Sequence, residues 1–117
     1  MLEPDCRPAE IVTIGQHETI KEAAAKMMSH NVGCLIVNDE QGRFVGLATE
    51  RDVARHVAAA CETANERNIA DIMTDDVVSC RAGVSTSEAR RIMARRRVRH
   101  LPIVEDGVVV GILSARD

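Results

Sequence analysis

Aromatic residues are almost absent from this chain. Its 117 residues include one Phe and neither Trp nor Tyr, so aliphatic side chains and Met must fill the core. The same scarcity removes the aromatic platforms on which most single-strand nucleic-acid binders stack bases. With a formal net charge of −3, the chain also has no overall attraction for nucleic acid or an anionic membrane surface. We therefore expect neither nucleic acid nor membrane as a partner.

The cysteines and histidines lack the spacings of a metal site. No CxxC pair or CxxH spacing occurs, so neither a zinc site nor a disulfide framework is expected. His17, His30 and His56 are interpreted as surface or capping residues. The chain also has no GxSxG elbow, no Walker-type glycine loop and no HExxH helix. Because no set of acid, base and nucleophile can be assembled, we expect no metal, no catalytic cofactor and no enzymatic activity.

A targeting segment is missing from the first residues. Residues 1–5 contain no basic start followed by an apolar stretch, and no apolar run in the chain is long enough to span a bilayer. We expect a cytoplasmic protein whose thiols are reduced.

The chain does contain an internal repeat. One set of residues recurs unchanged 66 positions later, and a second set recurs 65 positions later. The first set is Val12, Glu22, Ala23, Met27, Val32 and Leu35, and the second is Gly46, Arg51 and Asp52. The residue lost between them falls in a turn, where a deletion is tolerated. We place the first repeat at residues 1–64 and the second at 65–117, together forming one module.

Both repeats predict the same order of elements. A β-branched run at residues 11–14 or 77–80 predicts a strand, and a helix then opens at Thr19 or Ser85, each followed three residues later by the Glu of a capping box. Two apolar runs joined by a Gly-containing turn predict a hairpin at 34–37 with 44–49, and another at 101–104 with 108–114. A further helix at 51–61 and a polar connection at 62–68 follow only in the first repeat. The second repeat is therefore expected to have an open sheet face, from a truncated boundary or because a partner covers it.

Similar segments close the third strands of the two repeats, namely Gly46-Leu47-Ala48-Thr49-Glu50-Arg51-Asp52 and Gly111-Ile112-Leu113-Ser114-Ala115-Arg116-Asp117. They resemble the corresponding segments of the CBS (cystathionine-β-synthase-type) domain pair. Residues 70–74 also resemble the family's lead-in to a repeat, and 99–104 its second strand. The resemblance implies an α+β fold of two β-α-β-β-α repeats related by a pseudo-twofold axis. It further implies two clefts that commonly hold AMP, ADP, ATP or S-adenosylmethionine, the sensing of energy or metabolite state for a regulated partner, and homodimers.

Two hydroxyl and carboxylate pairs lie where a strand passes into a helix. Thr49 and Asp52, like Ser114 and Asp117, are three residues apart. An Asp in this place can accept hydrogen bonds from both ribose hydroxyls, while the hydroxyl and the first helix amides can donate to phosphate. The same spacing also fits a capping box that needs no ligand. Both interpretations stay open.

The resemblance assigns further residues to the nucleotide sites. Basic residues that start the second strand face phosphate in related modules, and here Arg99 and His100 match Gly33 and Cys34 of the first repeat. We therefore expect unequal sites, with a polyphosphate preferring the second. The remaining assigned residues are Val12, Thr13, Val78, Ser79, Leu35 and Pro102. Core packing explains the valines equally well, and the two hydroxyls need a ligand, water or protein partner.

The arginine-rich segment at residues 90–97 is interpreted as a solvated helix end, where cations are favoured. The function that the sequence favours is a regulatory module that binds AMP, ADP or ATP. The alternatives are a ligand-free dimerisation or protein-interaction module and a binder of S-adenosylmethionine. Nucleic-acid binding through the arginines is disfavoured by the acidic net charge.

Overall fold

The computed structural model describes residues 5–60 and 66–116. Along the chain the elements are β1 (Asp5–Pro8), β2 (Thr13–Gly15), α1 (Ile20–His30), β3 (Cys34–Asn38), β4 (Phe44–Thr49), α2 (Glu50–Ala60), a 3-10 helix (Ile69–Asp71), β5 (Cys80–Arg81), α3 (Thr86–Arg96), β6 (His100–Glu105) and β7 (Val108–Arg116). The chain divides into two compact units. We call Val12–Val77 the first unit, and Met1–Ile11 with Val78–Asp117 the second unit.

The first unit packs two helices on a three-stranded sheet of order β2-β3-β4. Strand β2 runs parallel to β3, and β3 runs antiparallel to β4. The buried stripe of α1 contains Ile20, Ala23 and Met27, which belong to one core cluster with Leu35 and other strand residues. Because side chains alternate along a strand, the residues of β3 at every second position face this core.

The second unit contains a four-stranded sheet of order β1-β7-β6-β5. Helix α3 buries Ala89 and Met93 in a cluster with Leu101, and Leu113 and Ala115 pack against that cluster. Among the described residues of this unit, α3 is the only α-helix. The predicted α+β fold of two repeats is confirmed: both have the order strand, helix, strand, strand, and within the described residues only the first repeat adds a closing helix.

The predicted N-caps are confirmed. The Thr19 hydroxyl accepts from the Glu22 amide at 3.1 Å, and the Ser85 hydroxyl accepts from the Glu88 amide at 3.1 Å. Each bond satisfies one amide that the first helical turn leaves without a partner. The helices are therefore fixed at their starts by local sequence in both repeats.

The first strands are displaced from their predicted positions. The run at 11–14 forms a strand at Thr13–Gly15, and the run at 77–80 forms one only at Cys80–Arg81. The β-branched residues favour extended backbone, but a strand also needs a neighbour for its hydrogen bonds. Strand β5 pairs with β6 only from Cys80, opposite Ile103, to Arg81, opposite Val104. The pairing partner therefore determines where the strand begins and ends, and the apolar run indicates only the part of the chain in which the strand lies.

The hairpins and the second helix agree closely with prediction. Strands β3 with β4 and β6 with β7 form antiparallel pairs. The helix predicted at 51–61 is α2, which begins one residue earlier at Glu50. Residue 61 and residues 62–65 of the predicted connection lie outside the described part of the chain.

Two segments belong to the other unit from the one in which the predicted repeats would place them. Strand β1 belongs to the second unit, where it pairs antiparallel with β7 from Asp5, opposite Arg116, to Pro8, opposite Leu113. The segment that leads into the second repeat belongs to the first unit, where Ile69 is completely buried. Thr74 also forms an antiparallel bridge with Leu47 of β4.

Candidate functional site

Thr49 and Asp52 form a reciprocal cap at the passage from β4 to α2. Asp52 Oδ2 accepts from the Thr49 amide at 3.0 Å and from the Thr49 hydroxyl at 3.0 Å, while the Asp52 amide donates to Thr49 Oγ1 at 3.2 Å. Both hydrogen bonds that the carboxylate accepts are therefore made by the same oxygen, Oδ2. The capping interpretation is thus confirmed for the first repeat. The cap leaves the carboxylate with acceptor capacity on Oδ1, because each carboxylate oxygen has two lone pairs.

The strand register places Cys34 beside this cap. Cys34 is the Cα partner of Thr49 across the antiparallel pair, and Leu35 is the partner of Ala48. Leu35 and Ala48 belong to the core cluster, so alternation puts Cys34 and Thr49 on the other face of the sheet. The structure therefore brings Cys34 to Thr49 and does not bring Leu35 there, although the family resemblance assigns Leu35 to the site.

The Cys34 thiol is a neutral group in this environment. Burial, and secondarily the negative charge of Asp52, raise the pKa of Cys34 to about 12. Both causes disfavour the thiolate. At neutral pH the sulfur beside Thr49 is therefore uncharged.

The matching place in the second unit carries a histidine. His100 is the Cα partner of Ser114, and His100 Nδ1 lies 3.2 Å from Ser114 Oγ. Pro102 is the partner of Ile112, and both residues are buried on the same face as this pair. Arg99 precedes His100 and is exposed. The structure thus brings together His100 and Ser114 of the predicted residues, the placing of Arg99 at a phosphate site stays a prediction, and Asp117 lies outside the described residues.

The residues assigned near the first strands have mixed environments. Val12 is buried in the core of the first unit, and Val78 packs against the core of the second unit. Thr13 and Ser79 are exposed. The Lys26 ammonium donates to the Thr13 carbonyl at 2.6 Å. Lys26 was not predicted, since a single Lys on an amphipathic helix carries no motif.

A second feature missed by the sequence is the position of Glu50, the first residue of α2. A Cβ built at Gly33 would lie 3.5 Å from Glu50 Cδ and 3.7 Å from each carboxylate oxygen. Gly33 is the counterpart of Arg99, so this carboxylate lies beside the residue that aligns with an arginine of the second repeat. The Glu50 side chain also lines a groove between α1 and α2. The register of the repeats shows that Glu50 aligns with Ala115, but it does not show the direction of the Glu50 side chain.

The arginine segment and the histidines contain no metal site within the described residues. Arg91 lies 3.6 Å from Glu88 one helical turn earlier, and Arg95 and Arg96 stand in the last turn of α3. His17 Nε2 lies 3.6 Å from Glu40 on the surface. Within residues 5–60 and 66–116, no three His, Cys, Asp or Glu side chains are grouped closely enough to hold a metal ion. Of the helices in those same ranges, none combines the length and apolarity needed to cross a bilayer.

Comparison with known proteins places these motifs in a family. The CBS domain model matches residues 7–59 and again residues 69–117. The chain therefore belongs to the CBS domain family and carries two such domains, a pair of the kind found in regulatory proteins. Among curated proteins it is similar to the CBS domain-containing protein YhcV of Bacillus subtilis, with 34% identity over 113 residues, which is 97% of this chain and 79% of YhcV.

Solved structures agree with this membership. The crystal structure of the CBS-domain containing protein ATU1752 from Agrobacterium tumefaciens has a TM-score of 0.82 and 34% identity, covering 90% of this chain and 78% of that chain. The CBS domain pair of protein MJ0100 has a TM-score of 0.79 and 28% identity, covering 92% and 87%. That pair was solved in complex with 5′-methylthioadenosine and S-adenosyl-L-methionine.

Proposed function

We propose that this CBS pair is a regulatory module without catalytic activity that binds adenosine ligands, with AMP, ADP or ATP at the second repeat, and reports their level to a partner protein. The observation that carries the proposal is the Thr49 and Asp52 cap, which holds a carboxylate at a helix start. Capping engages Oδ2, so Oδ1 can accept from a ribose hydroxyl while the cap stays formed. Capping and ligand binding are therefore compatible roles. The cytoplasmic location stays a prediction.

The second repeat supplies groups suited to phosphate. The Arg99 guanidinium can donate two parallel hydrogen bonds to phosphate oxygens. His100, beside Ser114, adds a second ring-nitrogen donor when it is protonated. A phosphorylated adenosine ligand at this repeat fits these donors.

Titration calorimetry with AMP, ADP, ATP, 5′-methylthioadenosine and S-adenosylmethionine, each at millimolar concentration, tests the proposal. Asp52→Asn removes the charge of the carboxylate while its amide oxygen can still accept from the Thr49 amide. We expect this variant to weaken ligand binding at the first repeat by about 1–3 kcal/mol, the cost of losing a hydrogen bond to a charged group. An absence of heat with all five ligands would overturn the proposal.

A matched control separates the loss of a cap from the loss of a ligand contact. Thr19→Ala removes the N-cap of α1 and touches neither candidate site. It should lower the free energy of unfolding by about 1 kcal/mol and leave ligand affinity unchanged. If Thr19→Ala weakened binding as much as Asp52→Asn does, the effect of Asp52 would be one of stability and not of ligand contact.

A second candidate function, dimerisation, is favoured by an apolar groove between α1 and α2. Its volume is about 500 Å³, and its lining includes Ala24, Met27, Met28, Val53, Ala54 and Val57. Met28 is 83% exposed and Val57 is 45% exposed. In a twofold interface the same surface of each copy contacts the other, so this surface needs both a protrusion and a recess. Met28 is the protrusion and the groove is the recess. The partner that fits the groove is therefore a second copy of this chain.

Light scattering on Met28→Glu tests this candidate. A charge placed at the rim of the groove should convert a dimer to monomer without unfolding the chain, because Met28 is exposed. The control is Ser29→Glu, because Ser29 is exposed and is next to Met28 in the sequence. Met93→Glu is not a suitable control, because Met93 is buried. A wild-type chain that is monomeric at all concentrations would exclude the dimer.

A further inference from the structure

Five arginines lie on α3 and at its C-cap, and the matching helix of the first repeat has none of them. Helices α1 and α3 have the same length, begin at the same kind of N-cap, and each buries one Ala and one Met. The arginines are Arg90, Arg91, Arg95, Arg96 and Arg97, and their counterparts are Ala24, Ala25, Ser29, His30 and Asn31. Because α1 forms without any arginine at these positions, the fold of the helix does not require them.

The arginines of α3 are also unfavourable for the helix itself. Arg91 and Arg95 are four residues apart, where like charges destabilise a helix. Glu88 is the one carboxylate of α3, and it lies 3.6 Å from Arg91. A helix C-terminus favours cations, which accounts for Arg95 and Arg96 in the last turn, but Arg90 and Arg91 precede that turn. The energetics of the isolated helix therefore do not explain the cluster.

Arg97 adds a conformational cost. It ends α3 in the left-handed region, with φ of 56°, where residues with a Cβ are disfavoured. Its counterpart Asn31 has φ of 53° and tolerates this region better. Backbone strain of this kind is concentrated at functional sites. A contact made by the guanidinium of Arg97 therefore explains the choice of this residue better than the fold does.

Most of these arginines surround a small exposed residue, Ala94. Residues three and four apart are neighbours on a helix surface, so Ala94 lies beside Arg90, Arg91 and Arg97. Arg95 lies one turn beyond Arg91. Arg90 is half-buried and the other four residues are exposed, and we call these five residues the arginine face. A small residue at the centre lets another chain approach the helix while guanidinium groups reach that chain from both sides.

The burial of Arg90 is not compensated within the described residues. Its Nε is shielded from solvent and has no hydrogen-bond partner there. Shielding such a donor costs free energy. Partial burial also restricts the side chain before any partner arrives, so less conformational entropy is lost when its terminal nitrogens bind an acceptor.

We propose that the arginine face is a docking surface for an acidic helical segment of a partner protein. A guanidinium matches a carboxylate through two parallel hydrogen bonds. Arg91 and Arg95 are separated by about 6 Å along the helix axis, the rise of four residues. Carboxylates four residues apart on a partner helix have the same separation, so each carboxylate meets one guanidinium.

A short acidic segment fits this chain better than a long polyanion does. The net charge is −3 although α3 and its cap hold five of the 15 lysines and arginines, so the rest of the chain is acidic. It repels nucleic acid and anionic bilayers, whereas one acidic helix contacts only the arginine face. Docking here requires no bound nucleotide. It therefore goes beyond the proposed function and supplies the contact that a regulatory module needs with its partner.

Fluorescence anisotropy tests the docking surface with a labelled alanine-based peptide of about 20 residues that carries Glu at every fourth position. A peptide of this length and composition forms a helix in isolation. The comparison peptide has Gln at the same positions. We expect the wild-type chain to bind the Glu peptide but not the Gln peptide, with an affinity that falls as salt is added.

The double variant Arg91→Gln, Arg95→Gln should weaken binding of the Glu peptide about tenfold, the scale of two exposed ion pairs. Glutamine favours the helix nearly as well as arginine does, so the fold is kept. The matched control is Arg51→Gln with Arg55→Gln, which removes two exposed arginines with the same spacing from α2. It should leave peptide binding unchanged.

Several outcomes would overturn the proposal. They are an absence of binding by the Glu peptide, equal binding of the two peptides, and equal weakening by the two double variants, which would assign the attraction to overall charge. Tighter binding of a DNA duplex of about 20 base pairs, or of phosphatidylserine vesicles, than of the Glu peptide in the same buffer would assign the face to nucleic acid or membrane. If Arg91→Gln with Arg95→Gln converted a dimer to monomer in light scattering, the occupant would be a second copy of this chain.

Calorimetry with adenosine ligands tests the proposed function separately. A chain that binds those ligands but not the Glu peptide keeps the proposed function and loses the docking surface. A chain that binds the Glu peptide through Arg91 and Arg95 but no adenosine ligand keeps the docking surface and loses the proposed function.

Discussion

Gly46 lies against the side chain of Met73. A Cβ built at Gly46 would lie 2.7 Å from Met73 Sδ and 2.8 Å from the Thr74 carbonyl oxygen. Two backbone hydrogen bonds between Leu47 and Thr74, of 2.9 and 2.8 Å, hold this segment against β4. Gly46 therefore has a packing role, because only a residue without a side chain leaves room for Met73 and Thr74, which lead into the second repeat.

Gly46→Ala should destabilise the first unit. The added methyl group collides with a backbone carbonyl, which cannot move without breaking the bridge to Leu47. Overpacking of this kind costs about 1–3 kcal/mol. Urea unfolding followed by far-UV circular dichroism measures the change, and a variant as stable as the parent would contradict the packing role.

Gly111→Ala is the matched control, because Gly111 is the counterpart of Gly46. A Cβ at Gly111 would lie 3.3 Å from Ile103 Cδ1, the end of a flexible side chain. A rotation of Ile103 relieves that contact. We expect Gly111→Ala to cost clearly less stability than Gly46→Ala does.

The parts of the fold that local sequence determines were predicted well. The caps at Thr19 and Ser85 depend on a hydroxyl and an amide three residues apart, and the hairpins depend on short turns between apolar runs. The Thr49 and Asp52 pair was also found from spacing alone, because the observed cap and the proposed ribose contact need the same spacing. Such features require no knowledge of distant contacts.

The parts that depend on distant pairing were not predicted. Strand β1 has the sequence Asp-Cys-Arg-Pro, which has no alternation, and it is a strand because β7 offers it a partner. The bridge between Leu47 and Thr74 likewise joins segments that are far apart in the sequence. The approach of Glu50 to Gly33 depends on the direction of a side chain, which spacing does not give. The approach of Glu50 to Gly33 was therefore missed, although the lack of Arg and His at the start of β3 was seen.

Arg97→Gly should stabilise the chain. Arg97 ends α3 in a left-handed conformation, with φ of 56° and ψ of 45°. A side chain with a Cβ is disfavoured there, whereas glycine adopts this conformation without steric cost. The gain should be about 0.5–1 kcal/mol, measured as a shift in the urea midpoint.

Asn31 provides the comparison for this variant. It ends α1 in nearly the same conformation, with φ of 53° and ψ of 48°. Asparagine tolerates the left-handed region better than arginine does, because its short polar side chain can bond locally. Asn31→Gly should therefore change stability less than Arg97→Gly, and an equal gain at both positions would count against conformational strain at Arg97.

Cys34 should make the stability of the chain fall at alkaline pH. Burial, aided by the charge of Asp52, raises the pKa of its thiol from 9.0 to about 12, so the folded chain holds this proton more tightly than the unfolded chain. The resulting stabilisation is complete below pH 9 and is lost as the pH rises towards 12. Comparison of wild type with Cys34→Ala isolates the effect from the titration of lysines. Between pH 8 and pH 10 the wild type should lose about 1 kcal/mol more than the variant, as measured by urea unfolding. Parallel losses in the two proteins would show that the Cys34 thiol titrates alike in the folded and unfolded states.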